Sequence, residues 1–118
     1  MSNKLEISLP WPPSLNRCYR SFKGRVLLSR EGRDYIQLIK SIILTSSIKT
    51  FKKERLTLFI LAFPPDRRRR DLDNLLKIFL DSLQKSGLYE DDEQIDFLSI
   101  ERCSIIKDGL LKIQIFMR

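Results

Sequence analysis

The sequence predicts an α+β domain in which a mixed β-sheet of about five strands is covered by two helices. Two stretches repeat apolar residues at three- and four-residue spacing, as one buried helix face requires. The other apolar runs are short and either alternate with polar residues or are apolar throughout, as strands do. Their order is strand, strand, helix, strand, helix, strand, strand, with no repeat or linker between them. At 118 residues the chain, 1–118, reads as a single domain with a modest core and room for one site.

The first strand is marked by Leu5, Ile7 and Leu9 and ends at Pro10-Trp11-Pro12-Pro13, where prolines remove ladder donors. Ser14 to Lys23 reads as a loop carrying Asn16, Arg17, Arg20 and Lys23. Its aromatics Tyr19 and Phe22, with Trp11, are expected in the core ahead of any base-stacking role. After Gly24, Val26-Leu27-Leu28 reads as an edge strand. Ser29 is placed to cap a helix over 30–48, with Tyr35, Leu38, Ile39, Ile42 and Ile43 on its buried face.

Leu56 to Phe63 is apolar on both faces apart from Thr57, the pattern of a central, covered strand, and it too ends in two prolines. The next helix buries Leu72, Leu75, Leu76, Phe79, Leu80 and Leu83, turns Asn74, Lys77, Asp81 and Lys85 outward, and stops near Gly87. Segments 95–105 and 110–117 are joined through Asp108-Gly109, a hairpin signal. With the first and third strands parallel, both double-proline loops leave one end of the sheet and gather Asn16, Arg17, Arg67 to Arg70, Asp71 and Asp73 on one rim.

Composition narrows the chemistry. With 22 Lys and Arg against 15 Asp and Glu, the net charge of +7 favours a polyanionic partner. The absence of histidine removes Ser-His-Asp and Cys-His catalysis and His-ligated zinc, so proton transfer falls to carboxylate, lysine or metal-bound water. Cys18 and Cys103 are isolated and read as small, buried, reduced thiols. No apolar run approaches the ~18 residues of a membrane span, and no basic-then-apolar start marks a secretory signal, so no membrane partner and a cytoplasmic location are expected.

The stretch Asp66 to Asp73, DRRRRDLD, presses four arginines against three carboxylates. Arginines bind phosphate through paired hydrogen bonds, and closely spaced carboxylates suit hard Mg²⁺ beside a phosphodiester. Together they suggest a metal-dependent enzyme acting on nucleic acid. Asp71 and Asp73 face the same way only if the chain is extended through Asp71, which puts Asp73 at or just before the helix start, near the positive end of its dipole. Lys77, one turn on, can point toward whatever Asp73 binds. The same residues also fit a plainer arrangement, with Asp73 an N-cap, Asp73 and Lys77 a surface pair and the arginines solvated. The acidic run 90–93 fits a solvated loop. Asp92 returns to Asp73 only if the chain doubles back along the helix, unless a partner subunit supplies it.

The chain resembles the RusA family of Holliday junction resolvases nearly from end to end. The resemblance rests on LPWPPSLNR (Leu9 to Arg17), Ser29-Arg30-Glu31-Gly32, PDRRRRDLDN followed by Leu75 and Lys77, and Gly87 with Asp91-Asp92 and Gln94. It implies an endonuclease that cuts four-way DNA junctions at symmetric positions in two strands of like polarity, leaving 5′-phosphate and 3′-hydroxyl ends. It implies one or two Mg²⁺ ions per site, with Mn²⁺ able to substitute, held by Asp71, Asp73 and Asp92. Lys77 falls on the family's catalytic lysine, and Arg67, Arg68, Arg69 and Arg70 on its DNA-binding block. Glu90 departs from the pattern, which usually has a bulky apolar residue there. One carboxylate site per chain and two cuts per junction lead to a two-fold homodimer, with the carboxy-terminal hairpin or the edge strand near Val26 as its interface. Two other classes share some of these features: a non-catalytic nucleic-acid-binding protein would not need the carboxylates, and a Mg²⁺-dependent hydrolase of free nucleotides would not need the charge.

Overall fold

A computed structural model describes residues 4–118. Its organising strand is β4 (Leu56–Phe63), with β5 (Ile95–Arg102) parallel on one side and β6 (Leu110–Met117) antiparallel on the other. Beyond β6 lies β1 (Lys4–Leu9), also antiparallel to it, giving the order β1-β6-β4-β5. Because β1 and β4 both oppose β6, they run the same way; Leu9 faces Leu111 and Phe63 faces Leu110, so the two double-proline loops leave the same end of the sheet, as expected.

Helices α2 (Arg30–Thr45) and α3 (Asp73–Lys85) pack on each other and cover one face of the sheet. Under them Leu56, Leu58, Ile60 and Ala62 are at most 1% exposed, and Leu111, Ile113 and Ile115 of β6 join the same core. No helix is long and apolar enough to cross a membrane among the described residues. The other face of the sheet has no such cover. Phe59 there meets the rings of Phe97 and Phe116, each at 5.6 Å, while Phe97 remains 47% and Leu61 38% exposed. β4 is therefore central but covered on one face only.

Two strand readings change. The Asp-Gly turn forms, with the Gly109 amide donating to the Ile106 carbonyl at 2.8 Å, but β5 and β6 do not pair, because β4 lies between them. The connection instead crosses the end of β4, where the amides of Cys103 and Ile106 donate to the carbonyls of Ala62 and Pro64. Residues 26–28 are not an edge of the sheet either. They belong to β3 (Arg25–Leu28), which pairs only with β2 (Tyr19–Phe22) across Lys23 (φ 48°) and Gly24 (φ 74°). Two consecutive left-handed residues are what a tight two-residue hairpin needs.

Before this hairpin the chain makes one short helical turn, α1 (Leu15–Cys18), where a loop was expected. Ser29 locks it to α2: its amide donates to the Cys18 carbonyl at 2.7 Å, its hydroxyl donates to the Arg17 carbonyl, and its oxygen accepts from the Gly32 amide at 3.1 Å. The expected cap is present and also serves as a clamp. The clamp requires glycine at 32, where a Cβ would sit 2.6 Å from the Cys18 carbonyl oxygen. Cys18 is buried, and burial above all pushes its thiol up to about 11, whereas Cys103 is only half-buried.

Candidate active site

The two double-proline loops meet in a groove lined by Trp11, Arg17, Arg68, Arg69, Arg70 and Asp71. Asp66 organises the arginine run. Its carboxylate accepts from the Arg68 amide at 2.9 Å and from Arg70 Nη1 at 2.7 Å, and the Arg70 bond is the main reason its carboxyl is held down to about 2. Arg70 also lies over the Trp11 ring at 6.0 Å, so it is committed to the fold. Arg67 and Arg69 are exposed and carry no hydrogen bond or ion pair among the described residues. Arg17 pairs with Glu31 at 2.9 Å, and Asn16 is exposed on α1.

Asp71 lies in the coil just before α3, and Asp73 is the first residue of the helix. Neither carboxylate has a hydrogen-bonding or charged partner among the described residues. The residue capping α3 is Leu72, and no side chain closes the cap, so Asp73 is not an N-cap. Nor do Asp73 and Lys77 form a pair: Lys77 Nζ turns the other way along the helix, 3.8 Å from Asp81 Oδ2. It also sits over the Tyr19 ring at 4.8 Å, and the Tyr19 hydroxyl donates to Asp81 Oδ2. Burial, then the bond to Asp81, raises the Tyr19 phenol well above its ordinary range, so Tyr19 stays a donor.

After Gly87 the chain does double back. Tyr89, fully buried, donates to Asp92 Oδ1 at 2.6 Å, and the Asp92 amide donates to Gln84 Oε1 at 2.9 Å. Gln94 fixes the loop: its carbonyl oxygen accepts from the amides of Glu90 and Asp91, and its amide nitrogen donates to the carbonyls of Lys52 and Glu54. Asp91 is spent as the cap of the turn that follows, accepting from the Glu93 amide at 3.0 Å. Asp92 thus returns as far as the middle of α3. Burial raises its carboxyl, the charges of Asp81 and Asp91 add to the effect, and Tyr89 and Lys77 oppose it. From Asp81 back to Asp73 is eight residues, roughly 12 Å of helix.

The site is therefore built in two parts along one helix. At the start of α3 are two unpartnered carboxylates beside the arginine run; at its middle Asp81 holds Tyr19 and Lys77, and the bonded pair Tyr89–Asp92 lies close enough for its charge to be felt. No three His, Cys, Asp or Glu side chains among the described residues come together as a metal-holding set. The donor chemistry nevertheless suits Mg²⁺, since Asp71 and Asp73 offer hard oxygens that no protein group occupies. Asp81 was not singled out in the sequence, although its four-residue spacing from Lys77 was there to be read. Tyr89 and Gln84 carried no signal, because their roles depend on the chain reversing after Gly87.

The family model for endodeoxyribonuclease RusA matches residues 10–116. The crossover junction endodeoxyribonuclease rusA of Enterobacteria phage HK97 is 41% identical over 113 residues, covering 96% of this chain and 94% of the relative. That of Enterobacteria phage 82 is 40% identical, and the RusA of Escherichia coli (strain K12) 39%, both with the same coverage.

Proposed function

The chain belongs to the RusA endodeoxyribonuclease family, and from that premise we propose that it is a cytoplasmic, Mg²⁺-dependent endonuclease resolving four-way DNA junctions in recombination and repair by paired, symmetric cuts. The observation that carries the reading is the pair of unpartnered carboxylates, Asp71 lining the arginine groove and Asp73 two residues on at the start of α3. Such a pair is costly to keep beside an approaching phosphodiester unless a cation bridges them to it.

Asp71 and Asp73 would hold Mg²⁺ at the start of α3, with Mn²⁺ able to substitute, and Asp92, from this chain or a partner, would have to come to that end of the helix to complete a set for one or two ions. Bound there, the cation supplies a Lewis acid for phosphodiester hydrolysis. Asp92 is better suited than Asp91, whose carboxylate is occupied as a cap. Arg67, Arg68 and Arg69 hold backbone phosphates, and Lys77 neutralises charge that develops on the phosphate under attack. Without histidine, no side-chain imidazole competes for the proton-transfer role.

A homodimer completes the reading, since two cuts need two sites. The uncovered sheet face supports it. Phe59, Leu61, Phe97 and Phe116 lie there among Glu6, Glu101 and Lys112, an apolar patch bordered by charged groups, as a subunit contact would be.

The test compares labelled synthetic junctions with matched linear duplex, with and without Mg²⁺. Paired cuts are expected in the junction alone and only with the metal. Asp→Asn at 71, 73 or 92 should abolish cutting while junction binding stays equal or tightens, because negative charge leaves a phosphate site. Binding lost together with activity in a folded variant would overturn the metal role, and cutting of free nucleotides with little response to salt would overturn the substrate.

A further inference from the structure

The β2–β3 hairpin stands apart from the sheet and turns one face to solvent. Cross-strand partners share a face, so the register places Tyr19 with Leu28 on one side and Arg20, Leu27, Phe22 and Arg25 together on the other. The first side is seated: Tyr19 and Leu28 pack against the core. On the second, Phe22 is 58% and Leu27 42% exposed, while Val26, opposite Ser21 on the first side and nearer the tip than the seated pair, is 67% exposed.

Charge indicates what this face meets. Residues 19–28 contain Arg20, Lys23 and Arg25 and no acidic residue. The side chains of Arg20 and Arg25 have no hydrogen bond or ion pair among the described residues, while Lys23 lies 5.5 Å from the Phe22 ring centre. Unpaired guanidinium groups around exposed apolar side chains do not suit an apolar protein surface, where they would be buried without partners. They suit a polyanion that also offers the flat faces of bases. In continuous duplex those faces are stacked on one another. Where strands exchange at a branch point, stacking is interrupted and an apolar side chain can enter.

We propose that the β2–β3 hairpin is a branch-point wedge, in which Phe22 and Leu27 pack on bases unstacked at the crossover while Arg20 and Arg25 hold the flanking phosphates. The proposal rests on the junction-cutting reading above and deepens it. Tyr19, at the foot of the hairpin, is bonded to Asp81 and lies under Lys77, so the wedge is tied to the helix that carries the site. The hairpin thereby fixes how far from the crossover a strand is cut.

The experiment places 2-aminopurine beside the crossover of a synthetic junction and follows its fluorescence as protein is added without Mg²⁺. Wild type should raise the signal. Phe22→Ala should bind the junction about tenfold more weakly and largely lose the signal, while its affinity for linear duplex barely changes. Arg20→Ala and Arg25→Ala should each reduce the slope of log affinity against log salt by about 0.9. Circular dichroism and melting check the fold, and Phe22→Trp should restore the signal. If wild type prefers junctions and Phe22→Ala raises the signal equally, the wedge falls alone. If wild type shows no preference for junctions, the functional reading falls and takes the wedge with it. If Phe22→Ala instead changes the oligomeric state, the face is a subunit contact and the wedge is wrong.

Discussion

Tyr19 and Lys77 converge on one oxygen: the phenol donates to Asp81 Oδ2, and the Lys77 ammonium lies 3.8 Å from the same atom with its charge over the Tyr19 ring. Lys77 is 57% exposed, so without these contacts its flexible stem would sample many directions. Asp81 is a positioning residue in this arrangement. Asp81→Asn keeps an acceptor for Tyr19 but removes the charge that draws Lys77 in, and should slow single-turnover junction cutting by about tenfold with binding unchanged. Tyr19→Phe, which keeps the ring, should cost less. Parallel losses of rate and affinity would assign Asp81 to the fold instead.

The arginines should separate by what already holds them. Arg67→Ala and Arg69→Ala remove groups with no protein partner, so each should lower the salt slope of duplex-arm binding by about 0.9 without changing the melting temperature. Arg70 is bound to Asp66 and lies over Trp11. Arg70→Ala should therefore lower the melting temperature and change the slope less. Equal slopes for all three variants would show that the run acts as one undifferentiated patch.

These distinctions mark how far the sequence could be read. The Ser29 cap, both long helices and the proline-ended strands are local signals, and they formed where their chemistry pointed. β2 was hidden because Tyr-Arg-Ser-Phe has no clear alternation of polarity and depends on the left-handed Lys23-Gly24 turn. The Asp108-Gly109 turn was legible but the strand order was not, since turn chemistry says nothing of whether β4 will insert between the strands it joins. Hydrophobicity alone places Phe22 in the core, yet only the register shows which hairpin face it occupies. The acidic residues of the arginine block were visible at once. The partnership of Asp81 with Tyr19 was not, because 62 residues separate them.

Asp66 offers a pH signature free of the metal question. Its folded-state carboxyl is held down to about 2, first by the bond from Arg70 and then by the Arg68 amide. A depressed carboxyl stabilises the fold above its unfolded value near ~3.9, and that contribution is lost as pH falls through the folded value. Between about pH 4 and pH 2, the wild-type melting temperature should therefore fall more steeply than that of Asp66→Asn. Identical acid limbs would mean that Asp66 does not hold Arg70 in solution.

Of the two interfaces expected from the sequence, the carboxy-terminal strands form no hairpin, while the strand of Val26 keeps a free edge in a separate two-stranded element. The uncovered sheet face, with Phe59 in contact with Phe97 and Phe116, is the better candidate. Sedimentation should show a species of twice the chain mass, and Phe97→Asp, which puts an unpaired carboxylate into that apolar face, should dissociate it while leaving each chain folded. Junction cutting should fall with dissociation, because a lone nick leaves the two duplexes joined. Heterodimers of wild-type and Asp73→Asn chains should then nick one strand only. A protein that stays monomeric on the junction and makes paired cuts at the wild-type rate would defeat the dimer. A heterodimer with no activity at all would instead mean that each site borrows Asp92 from its neighbour, which would account for why Asp92 stands beside Lys77 and Asp81, away from the start of α3.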